Sequence, residues 1–147
     1  MRGVLGGLAL IWGIWSGLAG AQQHPARMVG KWCESDDGGQ SCSGYTSYFP
    51  DGSAYAYTTS VEGNRLEIVG MWGHIGRYSC FTHIAFEEYD ENTNLLVNWG
   101  SRRDFCNKII GLGLSEFVYE DYEGERHSIY RLSDTPDRSV WPPVSGE

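Results

Sequence analysis

The chain has 147 residues, one fifth of them charged, and a formal net charge of -8 at neutral pH. So acidic a surface repels phosphate, which argues against nucleic acid and anionic membrane as partners. The length accommodates a single domain around one modest core.

The chain opens on a leader at residues 1–21. Arg2 is followed by an uncharged apolar stretch to Leu18 and then by Ala19-Gly20-Ala21, whose small first and third residues suit a signal peptidase cleft. The run from Gly3 to Leu18 is shorter than the ~20 apolar residues that span a bilayer, and glycines interrupt it. Cleavage after Ala21 is therefore the expectation, leaving no membrane span. Position 21 is not a cysteine, so no thiol is available for a lipid anchor. The mature chain is expected to be secreted or periplasmic, one unit more negative for the loss of Arg2.

Residues 22–133 form the predicted domain. Turn signals recur along it at Asp37-Gly38-Gly39, Pro50-Asp51-Gly52, Glu62-Gly63-Asn64, 73–76, 90–94, 111–113 and Glu123-Gly124. Runs rich in Tyr, Phe, Val, Ile, Thr and Trp lie between them, at the spacing of a meander of hairpins. Strands are predicted near 28–34, 42–49, 53–61, 65–72, 77–89, 95–106, 114–122 and 126–133. Eight such strands suit an all-β fold, an antiparallel up-and-down barrel whose closure removes exposed edges. Leu66, Ile68, Gly70 and Trp72 make one apolar or small face, and Tyr55, Tyr57 and Val61 a similar stripe. Residues 95–106 place Arg103 on the parity of Leu95, Val97, Trp99 and Phe105, which points to a bulge or an edge. Residues 134–147, with Pro136, Pro142 and Pro143, read as a tail outside the barrel, with Trp141 as a potential anchor.

Four cysteines allow three pairings, and an exported chain oxidises them by default. Cys33 and Cys42 are symmetric about the Asp37-Gly38 junction, and Cys80 and Cys106 about Thr93. Residues equidistant from a hairpin turn face one another at a Cα separation of about 5.5 Å, within reach of a disulfide. Two intra-hairpin disulfides follow. A zinc site from these thiols and His83 is disfavoured, because Cys80 and His83 alternate to opposite strand faces and no C-x-x-C pair occurs.

No catalytic residue, metal or cofactor is expected. The histidines are His24, His74, His83 and His127; there is no G-x-S-x-G elbow, and Gly111-Leu112-Gly113 lacks the third glycine of a dinucleotide loop. The acidic clusters Glu87-Glu88-Asp90-Glu91 and Glu120-Asp121-Glu123-Glu125 fall at hairpin tips without calcium-loop spacing, and read as solvated tips. Arg102-Arg103 is more informative, since neighbours on a strand face opposite sides. One of the two points inward or sits at a bulge, and pairing about Thr93 sets Ile84 opposite Arg102 and Phe86 opposite Gly100. An inward arginine needs a buried acid or an anionic ligand.

Gly30-Lys31-Trp32 heads the first strand, and Arg131 lies in the last within Ile129-Tyr130-Arg131-Leu132. With the eight-strand meander, this resembles the lipocalin-like (calycin) superfamily, and most of all its small exported members of unassigned function. The resemblance implies that Trp32 closes one end of the barrel with Arg131 packed over its indole, a contact worth about 1 kcal/mol. The chain departs from the pattern in lacking a T-D-Y motif and in its short span, which leaves less room for a large ligand cup. The function expected is a non-enzymatic binding protein taking a small apolar or anionic ligand at the barrel mouth, with Trp72, Trp99, Arg102 and Arg103 facing it. The alternative is a protein-interaction or inhibitor module whose barrel is filled by its own side chains.

Overall fold

The computed structural model describes residues 25–138; the leader and Trp141 lie outside the described residues. Within them the chain is all-β. Its strands are β1 (Gly30–Glu34), β2 (Gly44–Tyr48), β3 (Ser53–Thr59), β4 (Arg65–Ile75), β5 (Tyr78–Tyr89), β6 (Leu96–Ser101), β7 (Phe105–Leu112), β8 (Glu116–Glu120) and β9 (Arg126–Ser133). Sequence neighbours pair antiparallel, and β1 pairs back onto β9 with Trp32 opposite Arg131. β5 is shared: its first part, Tyr78 to Phe81, pairs with β7, and its second, Ala85 to Tyr89, with β6. β6 and β7 thus occupy one place in a closed eight-stranded ring, as successive pieces of a broken strand.

The break is the main departure from the expected meander. The β4–β5 register shifts between Val69 and Met71, and His83 takes a φ of 52°. That positive φ is costly for a side-chain-bearing residue and marks a bulge. Asp104 Oδ1 accepts the His83 N–H at 3.0 Å, so the gap between β6 and β7 is tied to the bulge beside it. Register about Thr93 nonetheless holds on both sides, with Phe86 opposite Gly100 and Cys80 opposite Cys106.

Two expected turns lie elsewhere. β4 runs through Gly73 and His74 to Ile75, and only Gly76, at φ 60°, needs left-handed backbone. β7 continues through Gly111, and the chain turns after it, where Gly113 N–H donates to Glu116 O at 2.8 Å. Of the Tyr55, Tyr57 and Val61 stripe, the two tyrosines share the outer wall of β3 while Ala54 and Ala56 face the lumen, and Val61 lies beyond the strand, fully exposed in the turn.

Both predicted disulfides are present, Cys33–Cys42 with Cα atoms 5.4 Å apart and Cys80–Cys106 at 4.0 Å. Two disulfides belong to an oxidising compartment. No helix among the described residues is long and apolar enough to cross a membrane. The first bridge forms for a different reason than hairpin symmetry. The ladder sets Cys33 opposite Tyr45 and Glu34 opposite Gly44, so Cys42 belongs to the connecting loop. Asp37 organises that loop and is not the centre of a tight turn: its carboxylate accepts the N–H groups of Gln40 and Ser41 at 2.9 Å and the hydroxyls of Ser35 and Ser41. These bonds hold its pKa far below the usual carboxylate range.

Candidate functional site

One end of the barrel is sealed. Met28, Trp32, Tyr48, Trp72 and Phe117 are buried there with Ala54 and Ile129. Trp32 donates its indole N–H to Met28 O at 2.9 Å, and Trp72 donates to Phe49 O at 3.2 Å, so neither aromatic buries an unsatisfied donor. Arg131 reaches across this end with its guanidinium carbon 4.3 Å from the Trp32 ring centroid. It donates to Leu114 O at 2.6 Å, to Val29 O at 2.8 Å and to Arg27 O, binding the N-terminal turn to the β7–β8 turn. Gly30 makes room for that reach: at φ 140°, a Cβ there would sit 2.5 Å from Ser133 O and 2.7 Å from an Arg131 nitrogen.

Above the seal lies a cavity of about 180 Å³, walled by Ala54, Ala56, Ile68, Ile84, Phe81 and Phe105 among others, with Phe117 and Ile129 toward the sealed end. It exists because two inward positions of β3 are alanines and one of β4 is Gly70. Phe81 and Phe105 stack at 5.0 Å between centroids and form one aromatic side. The polar groups are few: Glu34, Thr46, Arg102, Asn107 and the phenols of Tyr48 and Tyr119.

Glu34 carries the unusual chemistry. On β1 it is two residues beyond Trp32, so the alternation that buries the indole also turns this carboxyl inward. Burial pushes its pKa up, with the nearby His127 opposing in part, and no hydrogen bond from the described residues reaches its side chain. Burial likewise pushes the Tyr119 phenol up to about 12, helped by the charges of Glu34 and Asp121. The sequence reading missed Glu34 altogether, although its i+2 spacing from a barrel-closing tryptophan was a usable signal.

Of the residues expected at a ligand, the structure brings Arg102 to the cavity. It lines the lumen and also a shallower depression beside it containing Leu66, Phe86, Glu88 and Asn98. Its guanidinium carbon lies 5.4 Å from the Phe86 ring centroid, a cation–π contact at the mouth. Trp72 belongs to the sealed core and does not line the cavity, because its parity on β4 places it one layer below Gly70. Trp99 is 74% exposed on β6, opposite Glu87 and on the outer face. Arg103 is exposed in the β6–β7 gap.

The acidic tips are more structured than free solvated loops. Glu88 is buried at the rim, where Ser60, Asn64 and Asn98 all donate to its carboxylate and hold its pKa down. At the β8–β9 tip Asp121, Glu125 and His127 bring ligand atoms within 4.8 Å of one another. Asp121 is already committed there: one oxygen accepts the N–H groups of Glu123 and Glu125, and the other meets His127 Nε2 at 2.9 Å. His127 in turn stacks on Tyr119, centroids 5.2 Å apart, so the pair braces a cavity-wall residue from outside.

No protein-family profile matches the chain, and no curated protein matches it either. Among solved structures the chain is similar to a lipocalin-like protein from Bacteroides uniformis, at 19% identity and a TM-score of 0.45, over 72% of this chain and 99% of that one.

Proposed function

We propose that the protein is exported by its leader and binds a small, mainly apolar molecule inside the barrel without transforming it. The observation that carries this reading is the lumen cavity itself, apolar on most of its wall and holding one half-buried carboxyl that has no hydrogen-bond partner among the described residues. At about 180 Å³ it is smaller than the ~300–1,000 Å³ of typical ligand pockets. It compares with the ~150 Å³ apolar cavity that accepts benzene, so the ligand is about one ring in size. The ligand's apolar body would lie against Phe81 and Phe105, with a polar group toward Glu34 and an anionic substituent reaching Arg102.

Thermal melts with phenol, benzoate and indole test this, beside native mass spectrometry of the freshly purified protein. A saturable rise in Tm with at least one of them, lost in Ala56→Phe, is the expected result. Ala56→Phe fills the lumen, so an equal rise in both proteins would refute binding there, and no rise with any probe would leave the cavity without a ligand of the proposed class. A reading as a protein-interaction module gains support from the side-chain-filled sealed half and from an exposed edge strand.

A further inference from the structure

Of the two pieces that share one place in the ring, only β7 carries the pairing on to β8. β6 pairs with β5 on one side and ends the strand order, so its other edge has no strand partner among the described residues. Natural sheets blunt such edges with charge, proline or a covering segment. β6, with sequence LVNWGS, has neither charge nor proline. Trp99 stands on its outer face with Leu96, 74% and 50% exposed, and Val97, 54% exposed, is the extra residue of a bulge where the β5–β6 register shifts. The Trp99 N–H is held by the Asn98 side-chain oxygen at 2.9 Å, a local substitute for a strand neighbour.

The ends of this edge are oppositely charged. Before β6 the turn carries Asp90 and Glu91, and after it come Arg102, Arg103 and Asp104, the last with its carboxylate on the His83 N–H, so that end keeps one net positive charge. Asp90 organises its own turn through Asn92 and Thr93, whereas neither Glu91 nor Arg103 forms an ion pair among the described residues. An uncharged strand that is acidic before and basic after is complementary to itself when reversed.

We infer that β6 is the interface of a two-fold dimer in which a second copy of this chain adds its own β6 antiparallel at the open edge. In a register centred on Asn98, Trp99 lies across the new edge from the bulged Val97 of the partner subunit, and the two exposed apolar side chains are drawn out of water together. Arg103 then reaches the acidic turn of the partner subunit, and symmetry makes each contact twice. The contacts of opposite charge work locally against the general repulsion between two acidic molecules. Residues 139–147 are a poorer occupant of the edge. They follow Arg138, which sits over Phe49 beside the sealed end, and they include Pro142 and Pro143, which have no N–H to donate.

Sedimentation velocity of the purified protein between about 1 µM and about 1 mM, with amide exchange of residues 96–101 at both extremes, tests the interface. The expected result is a concentration-dependent dimer whose β6 amides gain protection as it forms. Val97→Lys should abolish it. Arg103→Glu should weaken it by about fivefold or more, since an exposed pair worth up to ~1 kcal/mol is lost twice. Glu91→Arg added to Arg103→Glu should restore it. Both Arg103→Glu and Glu91→Arg change exposed side chains far from the core, so they decide the matter even if Val97→Lys folds poorly. A monomer throughout, a dimer without added protection on β6, or a charge swap that restores nothing would each overturn the inference.

Discussion

Replacing Arg131 by methionine isolates what the guanidinium does, because methionine keeps the unbranched apolar stem of the side chain and removes its charged, donating head. The structure puts three losses on this change. Two are the bonds to Leu114 O and Arg27 O, which join separate turns, and the third is the bond to Val29 O. A hydrogen bond from a charged group contributes ~1.5–3 kcal/mol, but these carbonyls can recover water in part, so about 1 kcal/mol each is the working figure. The cation over the Trp32 ring adds about 1 kcal/mol. Asp134, 92% exposed, is left out because a solvated ion pair is worth little. The expected cost is about 4 kcal/mol. With a urea slope of about 2 kcal/mol per molar, that lowers the unfolding midpoint by about 2 M. Tryptophan fluorescence reads the transition directly, since Trp32 and Trp72 are both fully buried. Lysine at 131 keeps the charge but not the planar fork and should recover less than half of the loss. A loss below about 1 kcal/mol for Arg131→Met would refute the assignment of Arg131 as the fastening of the sealed end.

Two further outcomes follow from the same geometry. Burial raises the pKa of Glu34 above its ordinary 4.5 in the folded state, so folding favours the protonated form. Stability from that source is fully present below about 4.5 and is lost as pH climbs through the raised value. Glu34→Gln should therefore melt higher than the parent at pH 7 and lose the difference in acid; equal Tm values at both pH values would remove Glu34 from the interior. For the disulfides, loop entropy assigns about 3.5 kcal/mol to Cys80–Cys106 and about 2.6 kcal/mol to Cys33–Cys42, whose sequence separations are 26 and 9. Denaturation of the paired Cys→Ser variants should reproduce that order, and the reverse order would show that the short loop braces the fold more than chain entropy allows.

Much of the architecture was legible because strand formation and turn chemistry are local. Alternation and turn clusters located eight of the nine strands to within a few residues and missed β7, read as the end of one strand over 95–106, and one cysteine pair followed from its hairpin symmetry. The other pair was predicted on a register that the ladder does not have, since Asp37 spends its side chain on loop amides instead of a two-residue turn. What could not be read was which parity of β3 faces in. Tyr55 and Tyr57 look like a core stripe, yet the outer wall can shelter large phenols, as where Tyr57 meets Tyr45 at 6.5 Å. Small Ala54 and Ala56 inside are what leave space. The β6–β7 break was legible in part, since the parity of Arg103 pointed to a bulge or an edge within 95–106, but its anchoring was hidden. It depends on one aspartate side chain bonding a backbone N–H 21 residues away, which no local pattern encodes.

The disulfide between Cys80 and Cys106 sits on the sealed side of that break, and nothing covalent lies beyond it in β5 or β6. Opening energies should therefore be uneven along the molecule. The half around Trp32 and the staple can stay shut while the β5–β6 arm, held to its neighbour β4 on one side only, swings as a flap. Passage into the lumen would then require no unfolding of the sealed half, and the cost of entry would be set by the bonds from Ser60 and Asn64 to Glu88 and by the β4–β5 ladder.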